Sequence, residues 1–158
     1  MRQRPVRVYA DTSVFGGLFD DVFKTPTRVF FEQIRQGRFS LALSALVADE
    51  IENAPARVQS LFAEIADISE MSDIPLPAIR LQTAYLKAGI VGEGSMADAL
   101  HVALATYLKC QAIVSWNFRH IVHLQKIRLY NDVNRANGYA EIAIHSPQEV
   151  ILYEDESL

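Results

Sequence analysis

Short apolar runs alternate with stretches of helical period along most of this 158-residue chain, and that alternation limits the folds open to it. Residues 5–10 alternate and then run apolar into Asp11, which predicts a strand. Thr25-Pro26 reads as an N-cap followed by proline at the first helical position, and Gly37 closes the helix carrying "TRVFFEQIRQ". "FSLALS" is a second strand. Ser44 then caps a helix with Val47, Glu50 and Ile51, which ends before Pro55. "ARVQSLFAEIAD" has helical spacing, "ISEM" is a short third strand, and "LPAIRLQTAYLKAG" is a helix stopped at Gly89. Ser95 opens the most apolar helix, "MADALHVALATYLK", and "AIVSW" at 112–116 is a buried strand. A helix near 126–137 leads to Asn137-Gly138 and a last strand, "EIAIH". Strands alternating with helices predict an α/β fold with a mainly parallel sheet covered on both faces. No repeat, low-complexity tract or linker interrupts the pattern, which predicts one domain over 1–158.

Half of the residues are apolar and 22% charged, too hydrophobic a balance for disorder. The single Cys110 has no partner for an internal disulfide, and no Cys/His spacing matches zinc. The basic start "MRQRPVRVYA" is followed by no apolar stretch of signal-peptide length, and "LALSALVA" and "ALHVALATYL" are too short to span a bilayer. A cytoplasmic protein without membrane contact is expected. The net charge of −4 argues against an indiscriminate nucleic-acid binder. The four basic residues between Arg119 and Arg135, with His120 and His123 beside them, still allow a local basic surface.

In parallel α/β sheets, sites lie beyond the carboxyl ends of the strands. Asp11 ends the first strand and is followed by Thr12-Ser13 and by Gly16-Gly17, which reads as a flexible loop. Asp98 belongs to a helix that is apolar nearly all round, with His101 three residues on and on the same face. A buried carboxylate is costly unless it is paired, metal-bound or set at a helix N-terminus. Ser95-Met96-Ala97-Asp98 also fits a capping box, and that role is compatible with a carboxylate aimed into a cleft. Glu50 lies beside the buried stripe of Val47 and Ile51, although exposed helix acids are common. Asn117 follows the "AIVSW" strand, where it either turns the chain or offers its amide oxygen to a metal or a water. Arg119 and His120 are positioned to meet a phosphate, and exposed turn residues are the plainer alternative.

Three carboxylates in one cleft repel one another, so Asp11, Glu50 and Asp98 make sense together chiefly around hard divalent cations. Mg²⁺ or Mn²⁺ held by carboxylates and water suits phosphodiester hydrolysis. No nucleophilic Ser or Cys motif competes with this reading, and no Gly-rich phosphate loop is present.

Asp-Thr-Ser closing the first strand, Glu-Ile on an early helix, "ADALHVALA", "IVSWNFRHI" and the closing "NGYAEIAIHSPQEV" together resemble the PIN-domain family. The likeness is to its toxin-type (VapC-like) ribonucleases of type II toxin–antitoxin systems, over nearly the whole chain. The resemblance implies a three-layer α/β/α sandwich with a five-stranded parallel sheet, and a Mg²⁺- or Mn²⁺-dependent ribonuclease. By position, Asp11, Glu50 and Asp98 match the family's metal-binding acids, and Thr12 or Ser13 matches the hydroxyl that supports the first. Asn117 stands where many members carry a fourth Asp, which leaves the site one charge short. His101 falls where a polar side chain can approach substrate, and a satisfied core histidine is the alternative. The resemblance also implies an RNA substrate, a cognate antitoxin and a homodimer.

Three rivals differ in what they need. A phosphatase of the haloacid-dehalogenase type requires a second Asp two residues after the first, where this chain has Ser13. A receiver domain requires an acidic cluster that Asp20-Asp21 comes too late to supply. A non-catalytic PIN-like module, binding RNA or protein without cutting, draws its support from Asn117.

Overall fold

The computed structural model describes residues 4–153; the ends of the expected domain, residues 1–3 and 154–158, lie outside the described residues. Strands β1 (Val6–Ala10), β2 (Phe39–Ser44), β3 (Glu70–Ser72), β4 (Ala112–Val114) and β5 (Ala143–His145) form one sheet in the order β3-β2-β1-β4-β5. All four neighbouring pairs are parallel. Val8, Tyr9 and Ala10, and the whole of β4, are fully or nearly fully buried, as expected of strands covered on both faces.

Among the described residues eight α-helices connect and cover the strands: α1 (Thr12–Gly17), α2 (Lys24–Arg35), α3 (Ala45–Ile51), α4 (Ala56–Ala66), α5 (Leu76–Lys87), α6 (Met96–Tyr107), α7 (Leu124–Ala136) and α8 (Pro147–Val150). Helices α1 to α4 and α8 pack among themselves, and α5 packs against α6 and α7. With right-handed crossovers, these two groups lie on opposite faces of the sheet. The result is the α/β/α sandwich expected from the sequence. The strand order reverses between β1 and β4, so their carboxyl ends frame a crevice. Among the described residues no helix is long and apolar enough to cross a membrane.

Several local expectations need correction. The Gly16-Gly17 stretch is not a flexible loop but the end of α1, for which Asp11 is the N-cap residue. Gly17 is buried, and a Cβ there would stand 2.6 Å from the Trp116 indole nitrogen and 3.0 Å from Thr27 Oγ1. Glycine at this position serves close packing. Gly17→Ala is therefore expected to cost about 1–3 kcal/mol through overpacking. Denaturant unfolding followed by the fluorescence of Trp116, the sole tryptophan, measures it.

Helix α2 begins at Lys24 with Phe23 as N-cap, two residues before the expected Thr25 cap. Phe23 stacks on Trp116 with ring centroids 4.1 Å apart, which anchors the chain there. Pro26 then falls in the first turn, where its missing N–H leaves no bond unmade. Ser44 does precede α3, but its hydroxyl caps nothing and bonds the Tyr9 hydroxyl instead. Ser95 makes no side-chain cap on α6, so the expected capping box with Asp98 is absent. A capping box does form where the sequence reading placed no helix, between Ser146 and Glu149 on α8.

Candidate active site

Asp11 lies at the carboxyl end of β1, and its N–H donates to Val114 O at 3.2 Å, which carries the β1–β4 pairing one residue further. That continuation brings the residue after β4, Ser115, against the Asp11 side chain. The carboxylate is 4% exposed and accepts one hydroxyl on each oxygen: Ser13 Oγ on Oδ1 at 2.5 Å and Ser115 Oγ on Oδ2 at 2.8 Å. Each hydroxyl in turn accepts a backbone N–H from the turn after β4, Ser13 from Trp116 at 2.9 Å and Ser115 from Asn117 at 2.9 Å. With their lone pairs engaged, both hydroxyls direct their protons at the carboxylate.

Glu50 reaches the same end from α3, the helix that starts directly after β2. Its Oε1 accepts Thr12 Oγ1 at 2.6 Å and His101 Nε2 at 2.6 Å. The side chain is 35% exposed, so it borders solvent while bonded on its inner side. Asp98 arrives on α6. Arg7 Nε, at the start of β1, donates to Leu108 O just past the end of that helix, while His101 meets Tyr9 further along β1. Helix α6 therefore runs antiparallel to β1 and delivers its first turn, with Asp98, to the sheet's carboxyl end. Asp98 is half-buried and has no hydrogen-bond or ion-pair partner among the described residues.

The charges act on one another. Burial pushes the Asp11 carboxyl above its ordinary value; the charge of His101 and, after it, the two hydroxyls offset part of the rise, and the Asp98 charge adds a smaller increment. Burial also raises Glu50, but the hydrogen bonds from His101 and Thr12 outweigh it and leave this carboxyl below its ordinary value. The folded chain thus holds a proton on Asp11 at a pH where the unfolded chain has released it. Its penalty is complete above the raised pKa and is relieved as the pH falls through it. Glu50 acts in the opposite sense, since its stabilisation is present above 4.5 and is lost as the pH falls through the lowered value. Relative to Asp11→Asn, metal-free wild type is accordingly expected to gain thermal stability as the pH falls through the raised Asp11 value. Melting curves of both proteins as a function of pH provide the check.

The remaining expected site residues divide. Thr12 and Ser13 spend their hydroxyls on Glu50 and Asp11, not on a substrate. His101 is 2% exposed with both ring nitrogens bonded inside the protein, so it stands behind Glu50 and does not face substrate. Asn117 Oδ1 accepts the N–H groups of Arg119 at 3.2 Å and His120 at 2.9 Å. Its amide oxygen shapes the turn after β4. Arg119 is exposed, and His120 is half-buried with a buried Nδ1 that has no partner among the described residues. Leu18, Lys24, Thr25 and Arg28 line a separate cleft, which carries two basic side chains from α2.

Three residues that buttress the site were not expected there: Tyr9, Ser115 and Ser44, the last expected only as a helix cap. A signal existed for each, because a buried tyrosine or serine in an apolar strand requires a hydrogen-bond partner. Cys110 is no rival nucleophile, since burial pushes its thiol up to about 11.

Among the described residues no three Asp, Glu, His or Cys side chains converge into a ready-made metal cluster. The donors nonetheless fit Mg²⁺ or Mn²⁺ in kind, because such ions keep several waters and take one or two carboxylates. Asp11 keeps an unused lone pair on each oxygen, and Asp98 has both oxygens unbonded among the described residues.

No protein-family model and no curated protein sequence matches the chain. Among solved structures, it is similar to a chain of VapBC2 from Rickettsia felis, crystallised with a DNA fragment from their promoter. The TM-score is 0.57 at 13% identity, over 89% of this chain and 98% of that one. A second similarity is to VapC20 of Mycobacterium tuberculosis, a toxin that cleaves the sarcin-ricin loop, with a TM-score of 0.49 at 12% identity over 85% and 98% of the two chains. The order of the strands, the reversal beside β1 and the Rickettsia likeness agree: the chain has a PIN-like fold of the VapC kind.

Proposed function

We propose that the protein is a metal-dependent endoribonuclease, the toxin of a toxin–antitoxin pair. The observation that carries this reading is Asp11, a buried carboxylate at the crevice where the strand order reverses, bonded only by hydroxyls among the described residues and with the Asp98 charge adding to its cost of burial. A buried carboxylate facing another anion is stable when it is protonated or when a cation joins it. Asp11 and Asp98 would hold that cation, with Glu50 as the third acid at the same end of the sheet. The cation supplies an acidified water and neutralises charge on the phosphate.

The chain's own residues do the rest. Ser13 and Ser115 keep the Asp11 oxygens in one orientation, which holds the ligand geometry rigid. Glu50, kept ionised by Thr12 and His101, accepts a proton from water at its outer oxygen. Asn117 fixes the turn that presents Arg119, and Lys24, Arg28 and Arg119 track the RNA backbone with salt-sensitive affinity. The likeness to a chain of VapBC2 supports an antitoxin partner, and we propose that it covers the acidic crevice and that two copies of this chain pair.

A non-catalytic PIN-like binding module is the second reading. Asn117 favours it, being uncharged and engaged in its own turn. Incubation of total RNA with purified, antitoxin-free protein in Mn²⁺ or Mg²⁺ separates the two. Cleavage that EDTA abolishes is expected of the nuclease. RNA bound but intact with either metal would favour the module.

A further inference from the structure

Behind Glu50 a line of hydrogen bonds runs into the core. Ser44 Oγ lies 2.8 Å from the Tyr9 hydroxyl, which lies 2.8 Å from His101 Nδ1, and His101 Nε2 lies 2.6 Å from Glu50 Oε1. Ser44 and Tyr9 are fully buried and His101 nearly so. No bulk water reaches these atoms, so the protein itself decides where the hydrogens sit. An ionised carboxylate only accepts, hence His101 Nε2 must donate. In the neutral imidazole the other nitrogen then accepts, so Tyr9 donates to Nδ1 and Ser44 donates to Tyr9. One acceptor at the surface end sets the direction of the whole line.

The same line acts outward on Glu50. Both of its donors, Thr12 and His101, bond Oε1. Oε2 receives no donor among the described residues and is left for a ligand from outside the chain. The Tyr9 and His101 rings also pack against one another, with centroids 5.8 Å apart and planes tilted by 55°.

We infer that Tyr9 is a positioning residue: by donating to Nδ1 it locks His101 in the Nε2–H form, and His101 in turn pins Glu50 by one oxygen so that the other is presented to the cation. This rests on the metal-dependent reading above, so the test has one arm that does not depend on it. The first arm is the long-range ¹H–¹⁵N correlation spectrum of the imidazoles, with His101 assigned by its loss in His101→Gln. Wild type is expected to show one His101 form, protonated at Nε2 and bare at Nδ1. Tyr9→Phe, which keeps the ring and removes the hydroxyl, is expected to show a mixture of forms. A wild-type His101 protonated at Nδ1, or at both nitrogens, would overturn the inference without any variant having to fold. A single unchanged form in folded Tyr9→Phe would overturn it as well.

The second arm is calorimetric titration with Mn²⁺. Tyr9→Phe is expected to bind about 10- to 100-fold more weakly, the usual cost of losing an outer partner of a ligand. Affinity equal to wild type would reject the consequence for Glu50. No Mn²⁺ uptake by wild type would instead reject the metal reading, and the spectra alone would then decide the role of Tyr9.

Discussion

Asp98→Asn is expected to remove RNA cleavage and to leave thermal stability equal to or slightly above that of wild type. The two halves of this result have separate causes. Asp98 makes no hydrogen bond or ion pair among the described residues, so the neutral amide breaks no contact within the fold. Its charge raises the proton affinity of the buried Asp11, so removing it relieves a repulsion. Activity, in contrast, loses a ligand of the cation, and a loss of several kcal/mol from the transition state lowers the rate at least ~100-fold. A variant that is well folded by circular dichroism, melts no lower than wild type and fails to cut RNA has the expected behaviour. A stabilised variant that still cuts would remove Asp98 from the mechanism. The pattern is the usual trade between stability and activity at a site of crowded charge.

Ser115→Ala has the largest expected effect on stability. Its hydroxyl is fully buried, donates to Asp11 and accepts the N–H of Asn117, so the substitution strips one partner from each. A hydrogen bond to a charged group contributes about 1.5–3 kcal/mol, and a buried N–H left unpaired costs about 1–3 kcal/mol. Relaxation of the turn reduces the sum, and a net loss of about 2–4 kcal/mol is expected from urea unfolding. Against a total of roughly 5–15 kcal/mol for a domain of ordinary stability, that is a large share. Ser13→Ala removes the equivalent pair of contacts on Oδ1, and the double variant should be less destabilised than the sum, because both hydroxyls serve one carboxylate and one turn.

The pattern of strands was legible because it rests on burial on both faces, which writes itself as apolar runs such as "FSLALS" and "AIVSW". The three candidate acids stood out for a related reason. Asp11, Glu50 and Asp98 each interrupt or border an apolar segment, and one resemblance placed them together. Much of what the sequence concealed was long-range, although the Ser146–Glu149 capping box is local. Gly16-Gly17 reads as a flexible loop by composition, and only the indole of Trp116, a hundred positions away in the chain, shows why a glycine packs there inside a helix. Ser44 sits at an N-cap position by local pattern, yet its hydroxyl prefers Tyr9 across the strand pair. His101 shares a helical face with Asp98, but burial turns its ring toward Glu50 and Tyr9. Local chemistry proposes a partner for each polar group, and tertiary packing selects among the partners available.

The central claim is that the Asp11, Glu50 and Asp98 end of the sheet holds a divalent cation. The most direct test is calorimetric titration of EDTA-treated, dialysed wild type with Mn²⁺, beside Asp11→Asn shown to be folded. Saturable binding in wild type that is lost or weakened at least ~100-fold in Asp11→Asn is the expected result. Absent binding in wild type, or equal binding in the two proteins, would contradict the account.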